Sequence, residues 1–135
     1  MIAALGACGE SACDAADDSI ERAGCHTRVR LNKYPTGEAE TARFLTRNHG
    51  EAPSHEVAIV LANWGMKNPK KFAALLSNLE PAERASIVKR ISYAVVDGGD
   101  VRKFSSAMKP VAGEPVIREI ISELGDYDLE SDEAT

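Results

Sequence analysis

Residues 80–99 read EPAERASIVKRISYAVVDGG: a proline opens the stretch and two glycines close it. Proline is tolerated in the first turn of a helix, where its missing N–H would have no partner. Glycine past the last turn supplies the backbone conformations that end one. The stretch therefore predicts a helix that starts at Pro81 and stops at Gly98-Gly99.

The same punctuation recurs on both sides. NPKKFAALLSNL (68–79) has Asn68 as N-cap and Pro69 at the first helical position. SHEVAIVLANWG (54–65) is apolar nearly all round, which marks a central, buried helix from Ser54, with Trp64 near its end as a core anchor. TGEAETARFLTRNHG (36–50) reads as a helix from Thr36 as N-cap to Gly50, burying Ala39, Ala42 and Leu45. Downstream, DVRKFSSAMKP runs from Asp100 to Pro110, and EPVIREIISELG from Pro115 to a stop at Gly125. Near the N-terminus, SACDAADDSIERAG has an acid-rich first turn and Gly24 near a stop, predicting a short helix over 11–23. HTRVRLNKYP (26–35) alternates briefly at Val29 and Leu31. A lone strand has no partner, so this segment is read as an extended linker.

The expectation is an all-α protein of about seven short helices, either stacked helical hairpins (α-solenoid-like) or an irregular helical bundle. Its expected organisation is a cysteine-containing N-terminal segment over 1–26, a helical domain over 27–125 and an acidic, disordered tail over 126–135. Composition agrees. A chain of 135 residues can build a modest core without staples, and its 44% apolar content is ordinary for a globular domain. Aromatics make up only 5%, which suits close-packed helices better than a sheet. No run approaches the roughly 18 to 20 apolar residues of a membrane span.

A weak internal repeat appears at an offset of 32: Ile59, Leu61 and Ala62 fall on Ile91, Tyr93 and Ala94, and Asn68 falls on Asp100. Lys70-Lys71-Phe72 then falls on Arg102-Lys103-Phe104. Each unit would be a helical hairpin that buries its apolar face against a neighbour.

The net charge of −5 is unevenly laid out. Residues 1–24 carry five acids and one base, 25–113 eight acids and fourteen bases, and 114–135 eight acids and one base. A basic middle could face phosphate or nucleic acid. Its bases are scattered without aromatic interleaving, however, and the acidic ends would compete with a polyanion, so a nucleic-acid partner is disfavoured.

Chemistry-bearing residues concentrate at the N-terminus, where Cys8, Cys13 and Cys25 are followed by His26. A zinc site of three thiolates and one imidazole would need them all, but the spacing lacks the tight C-x2-C pair of specific zinc motifs. A disulfide is the second reading. One straight helix over 13–25 would hold its ends roughly 18 Å apart, whereas bridged Cα atoms sit about 4.4 to 6.8 Å apart. Cys13–Cys25 therefore needs a short or bent helix, Cys8–Cys25 needs residues 8–12 to fold back, and Cys8–Cys13 closes a small loop.

Leu5-Gly6-Ala7-Cys8 resembles the lipobox of bacterial lipoprotein precursors, over four residues, with Met1-Ile2-Ala3-Ala4-Leu5 similar to the end of an apolar signal core. The basic leader and full core of such a signal are missing, which on this reading places the precursor's true start upstream of Met1. The resemblance implies a lipid on Cys8 and a disulfide between the remaining Cys13 and Cys25 in an oxidising periplasm. It also implies a cell-envelope address, with the membrane reached only through the lipid. The alternative is a cytoplasmic protein with free thiols.

Enzyme signals are poor. Ser106-Ala107-Met108-Lys109 and Ser86-Ile87-Val88-Lys89 both fit S-x-x-K, but the S-D-N and K-T-G partner motifs are absent. His55-Glu56 has no second histidine four residues on. His49 and His55, with Glu51 and Glu56, read as surface residues at helix ends, and no cofactor is expected.

The reading that remains is a non-enzymatic helical interaction module, exported and lipid-anchored, that meets a protein partner through the basic pairs Lys70-Lys71 and Arg102-Lys103. The runner-up is a cytoplasmic module, either metal-binding through Cys8, Cys13, Cys25 and His26 or partner-neutralising through its acidic tail.

Overall fold

Proline and glycine set the helix boundaries over most of the chain in the computed structural model, which describes residues 10–134, with side chains over 11–127. The described residues form eight α-helices: α1 (Glu10–Cys13), α2 (Ser19–Lys33), α3 (Glu38–Thr46), α4 (Glu51–Lys67), α5 (Pro69–Ser77), α6 (Pro81–Asp97), α7 (Val101–Ala107) and α8 (Pro115–Ala134). A 3-10 turn, Lys109–Val111, follows α7, and no strand occurs among these residues. The protein is all-α. From α2 to α7 long and short helices alternate: the long ones begin at Ser19, Glu51 and Pro81, the short ones at Glu38, Pro69 and Val101. This alternation keeps step with the 32-residue offset, and it begins one unit earlier than the sequence match.

The chain divides into two compact units after Leu61, within α4. The boundary expected at residue 26 falls inside α2. The short helix over 11–23 and the linker over 26–35 are overturned. Asp18 caps a new helix by accepting from the Ile20 N–H at 2.9 Å, and that helix runs on to Lys33. Ala23, Thr27 and Leu31 are buried at four-residue spacing, so one helical face outweighs the two-residue alternation at Val29 and Leu31. Thr27 fits this face because its hydroxyl donates to the Ala23 carbonyl at 2.7 Å. Gly24 lies inside α2, where a Cβ would meet Glu56 at 3.0 Å. The next helix is shifted too: Gly37, not Thr36, is the N-cap of α3, and the buried residues are Thr41, Phe44 and Leu45, with Ala39 exposed.

In the second unit, α6 ends as its glycines require. The Asp100 N–H donates to the Val95 carbonyl and the Gly99 N–H to the Val96 carbonyl, both at 3.0 Å. Gly99 has φ +72, the left-handed conformation that this double closure needs. Asn68 and Asp100 both precede their helices, as the offset predicts. The Asn68 side chain, however, turns back and donates to the Trp64 carbonyl at 3.0 Å. Trp64 itself is half-buried rather than enclosed. Helix α8 packs along α6 and also meets α5, burying Val116, Ile117, Ile120 and Leu124. It does not stop at Gly125 but continues to Ala134. An interior glycine disfavours a helix by only about 1 kcal/mol.

Phe72 and Phe104, equivalent under the offset, are both 0% exposed and meet edge to face with ring centroids 5.9 Å apart. The Phe72 ring also packs closely on Gly65: a Cβ there would lie 2.5 Å from its Cδ1 and 2.7 Å from its Cγ. Gly65→Ala should therefore destabilise the protein by about 1–2 kcal/mol, because overpacking outweighs the gain of about 1 kcal/mol from alanine's helix propensity. Urea titration measures it, and a Gly65→Ala protein as stable as wild type would contradict this close packing.

Candidate functional site

Lys70 and Lys71 lie in the first turn of α5, and Arg102 and Lys103 in the first turn of α7; all four are exposed. Neither first turn holds an acid. The positive end of a helix dipole disfavours a cation there by typically 0.3–1 kcal/mol. The sequence accepts that unfavourable placement twice, at equivalent positions. The basic pairs directly precede Phe72 and Phe104, whose rings meet in the core. All four predicted partner-binding residues belong to the second unit.

A second basic cluster was not read from the sequence. Arg43 and Arg47 are one helical turn apart at the end of α3, and Arg30 comes from α2. The Arg30 guanidinium stands 4.7 Å from the centroid of the Phe44 ring and that of Arg47 stands 5.4 Å from it. With Glu40 these residues frame an open hollow of about 400 Å³. His49 steadies the underside: its ring lies 4.6 Å from Phe44, centroid to centroid, its Nε2–H donates to the Phe44 carbonyl at 2.7 Å, and its backbone N–H donates to Ser54 Oγ. His49 therefore has a structural task. The only signal in the sequence was the Arg43-Phe44-x-x-Arg47 spacing, which says nothing about Arg30.

Two other hollows differ in charge. The one of about 600 Å³ between α6 and α8 carries Lys89 and Arg118 against Glu119 and Glu123, and Glu119 pairs with Arg84 at 3.4 Å. The one of about 250 Å³ beside α5 sets Lys70 against Glu114. Both are balanced, whereas the Phe44 hollow has three cations and one acid.

At the N-terminus Cys13 and Cys25 are bonded through sulfur, with Cα atoms 5.4 Å apart. The helix expected between them is broken over residues 14–18, which folds α1 back on α2. Arg22 holds this turn, donating to the Ala16 carbonyl at 2.8 Å and the Asp17 carbonyl at 3.3 Å. Beside the disulfide, the His26 Nε2–H donates to Asp14 Oδ1 at 2.8 Å. With these pairings Cys13, Cys25 and His26 do not converge as metal ligands, and among the described residues no group of three His, Cys, Asp or Glu side chains does. Cys8, the expected lipidation site, lies outside the described residues. No described helix is long and apolar enough to cross a membrane. The S-x-x-K lysine Lys109 sits in the 3-10 turn, beyond the end of the helix that holds Ser106. No protein-family model, curated protein or solved structure matches this chain.

Proposed function

We propose that this protein is a non-enzymatic helical interaction module that docks on an acidic surface of a protein partner. Lys70, Lys71, Arg102 and Lys103 carry the contact. The supporting observation is their placement at two helix N-termini, where they oppose the dipole, beside the Phe72–Phe104 ring pair. Cations that weaken the fold at equivalent positions are better accounted for by a partner than by stability. The Cys13–Cys25 disulfide supports an oxidising compartment, in keeping with an exported, lipid-anchored protein.

The test is Lys70→Glu, Lys71→Glu, Arg102→Glu and Lys103→Glu combined. Acids suit a helix N-terminus, so the variant should melt at or above the wild-type temperature. Its affinity for a partner isolated from the native host with wild-type protein at low salt should fall on the order of tenfold or more. A variant that binds this partner as tightly as wild type would refute the reading.

A further inference from the structure

We propose that the hollow framed by Arg30, Glu40, Arg43, Phe44 and Arg47 binds the dianionic phosphate of a phosphorylated small molecule. Three arginines and one glutamate line the hollow, and arginine stays protonated at neutral pH. Planar forks that pair with oxygens in twos suit the three oxygens of a phosphomonoester better than a single carboxylate. Such a concentration of cations runs against a chain whose net charge is −5. Cations at the C-terminal end of α3 suit that helix's dipole, which accounts for Arg43 and Arg47. Arg30 likewise lies in the last turn of α2, so the dipole accounts for its charge as well; what it does not account for is the convergence of arginines from two helices on one ring.

Phe44 turns this cluster into a preorganised one. The rings and guanidinium groups stand within about 6 Å, the range of a cation–π contact. The planar guanidinium fork offers its N–H donors to phosphate oxygens in pairs. Holding two long side chains in place beforehand reduces the entropy lost when the anion arrives. Phe44 is itself buried, so it supports the arginines and is not available as a platform for a nucleic-acid base. The volume of about 400 Å³ falls in the range of about 300–1,000 Å³ typical of small-molecule sites. That exceeds a bare phosphate and leaves space for an organic body, with Glu40 able to accept hydrogen bonds from its hydroxyl or amino groups.

The experiment is calorimetric titration of the full chain with phenyl phosphate, inorganic phosphate and acetate at constant ionic strength. Phenyl phosphate should bind saturably and more tightly than inorganic phosphate, and acetate should not bind measurably. Arg43→Gln and Arg47→Gln change exposed side chains and should leave the circular dichroism spectrum unchanged, yet each should weaken phenyl phosphate on the order of tenfold. Arg30→Lys keeps the charge but loses the fork, and should weaken it similarly. The proposal fails if phenyl phosphate does not bind, if acetate competes equally, or if inorganic phosphate binds as tightly. It also fails if the glutamine variants retain wild-type affinity.

Discussion

Phe104→Ala is expected to lower the free energy of unfolding by about 3–5 kcal/mol, the usual range for truncating a fully buried aromatic. Phe104 is 0% exposed and is the buried residue of α7, a helix of only seven residues. A helix that short has no stability of its own in water and exists through its packing. Losing the ring removes that packing and the edge-to-face contact with Phe72 together. The contact alone should appear as about 0.5–1.5 kcal/mol of coupling in a double-mutant cycle with Phe72→Leu. Phe104→Leu keeps most of the volume and should lose less than Phe104→Ala. Urea unfolding of wild type, Phe104→Ala, Phe72→Leu, their double mutant and Phe104→Leu measures these terms, and a Phe104→Ala loss below about 1.5 kcal/mol would mean the core is not organised around this pair. Arg102 and Lys103 sit directly before the ring, so under the proposed docking partner affinity should fall in Phe104→Ala even where the protein remains folded.

That ring pair was within reach of the sequence because the offset placed Phe72 on Phe104, and proline or glycine marked the helix boundaries around them. Pro69, Pro81 and Pro115 open helices as expected, since a missing N–H matters least there. The failures share a different cause. Gly24 and Gly125 look like stops by composition, yet each lies inside a helix. Gly24 is retained where Glu56 comes close, a contact between residues far apart in sequence. Thr27 is fully buried on the core face of α2, and a polar residue there hides the helical spacing that Ala23 and Leu31 share. The candidate sites divide in the same way. Lys70-Lys71 and Arg102-Lys103 are neighbours in the chain and could be seen. The Phe44 hollow depends on Arg30 arriving from a segment read as a linker, so it became visible only once α2 was known to be helical.

Breaking the Cys13–Cys25 bond is expected to destabilise the protein by about 2–3 kcal/mol, given a sequence separation of 12 and a loop-closure value of about 3 kcal/mol for a 15-residue loop. The local structure makes this loss hard to recover. Helix α1 has four residues, too few to persist unaided, and the neighbouring Asp14–His26 pair is partly exposed, a setting in which an ion pair contributes at most about 1 kcal/mol. Without the disulfide, α1 should detach from α2 while the helix from Ser19 onward remains, held by its Asp18 cap and its buried face. Cys13→Ala/Cys25→Ala should therefore unfold at lower urea than wild type, with hydrogen exchange accelerated first over residues 10–16. Wild type with dithiothreitol should shift toward the same midpoint, and an unchanged midpoint would show that the bond contributes no stability. The same bond connects to the address. In protein taken from its native host, intact mass after alkylation without reductant should show Cys13 and Cys25 unmodified, and a chain that begins at Cys8 with acyl groups would make the cell-envelope reading direct. Three alkylated thiols would instead place the protein in a reducing compartment, where α1 would lack its tether and the export proposal would fall with it.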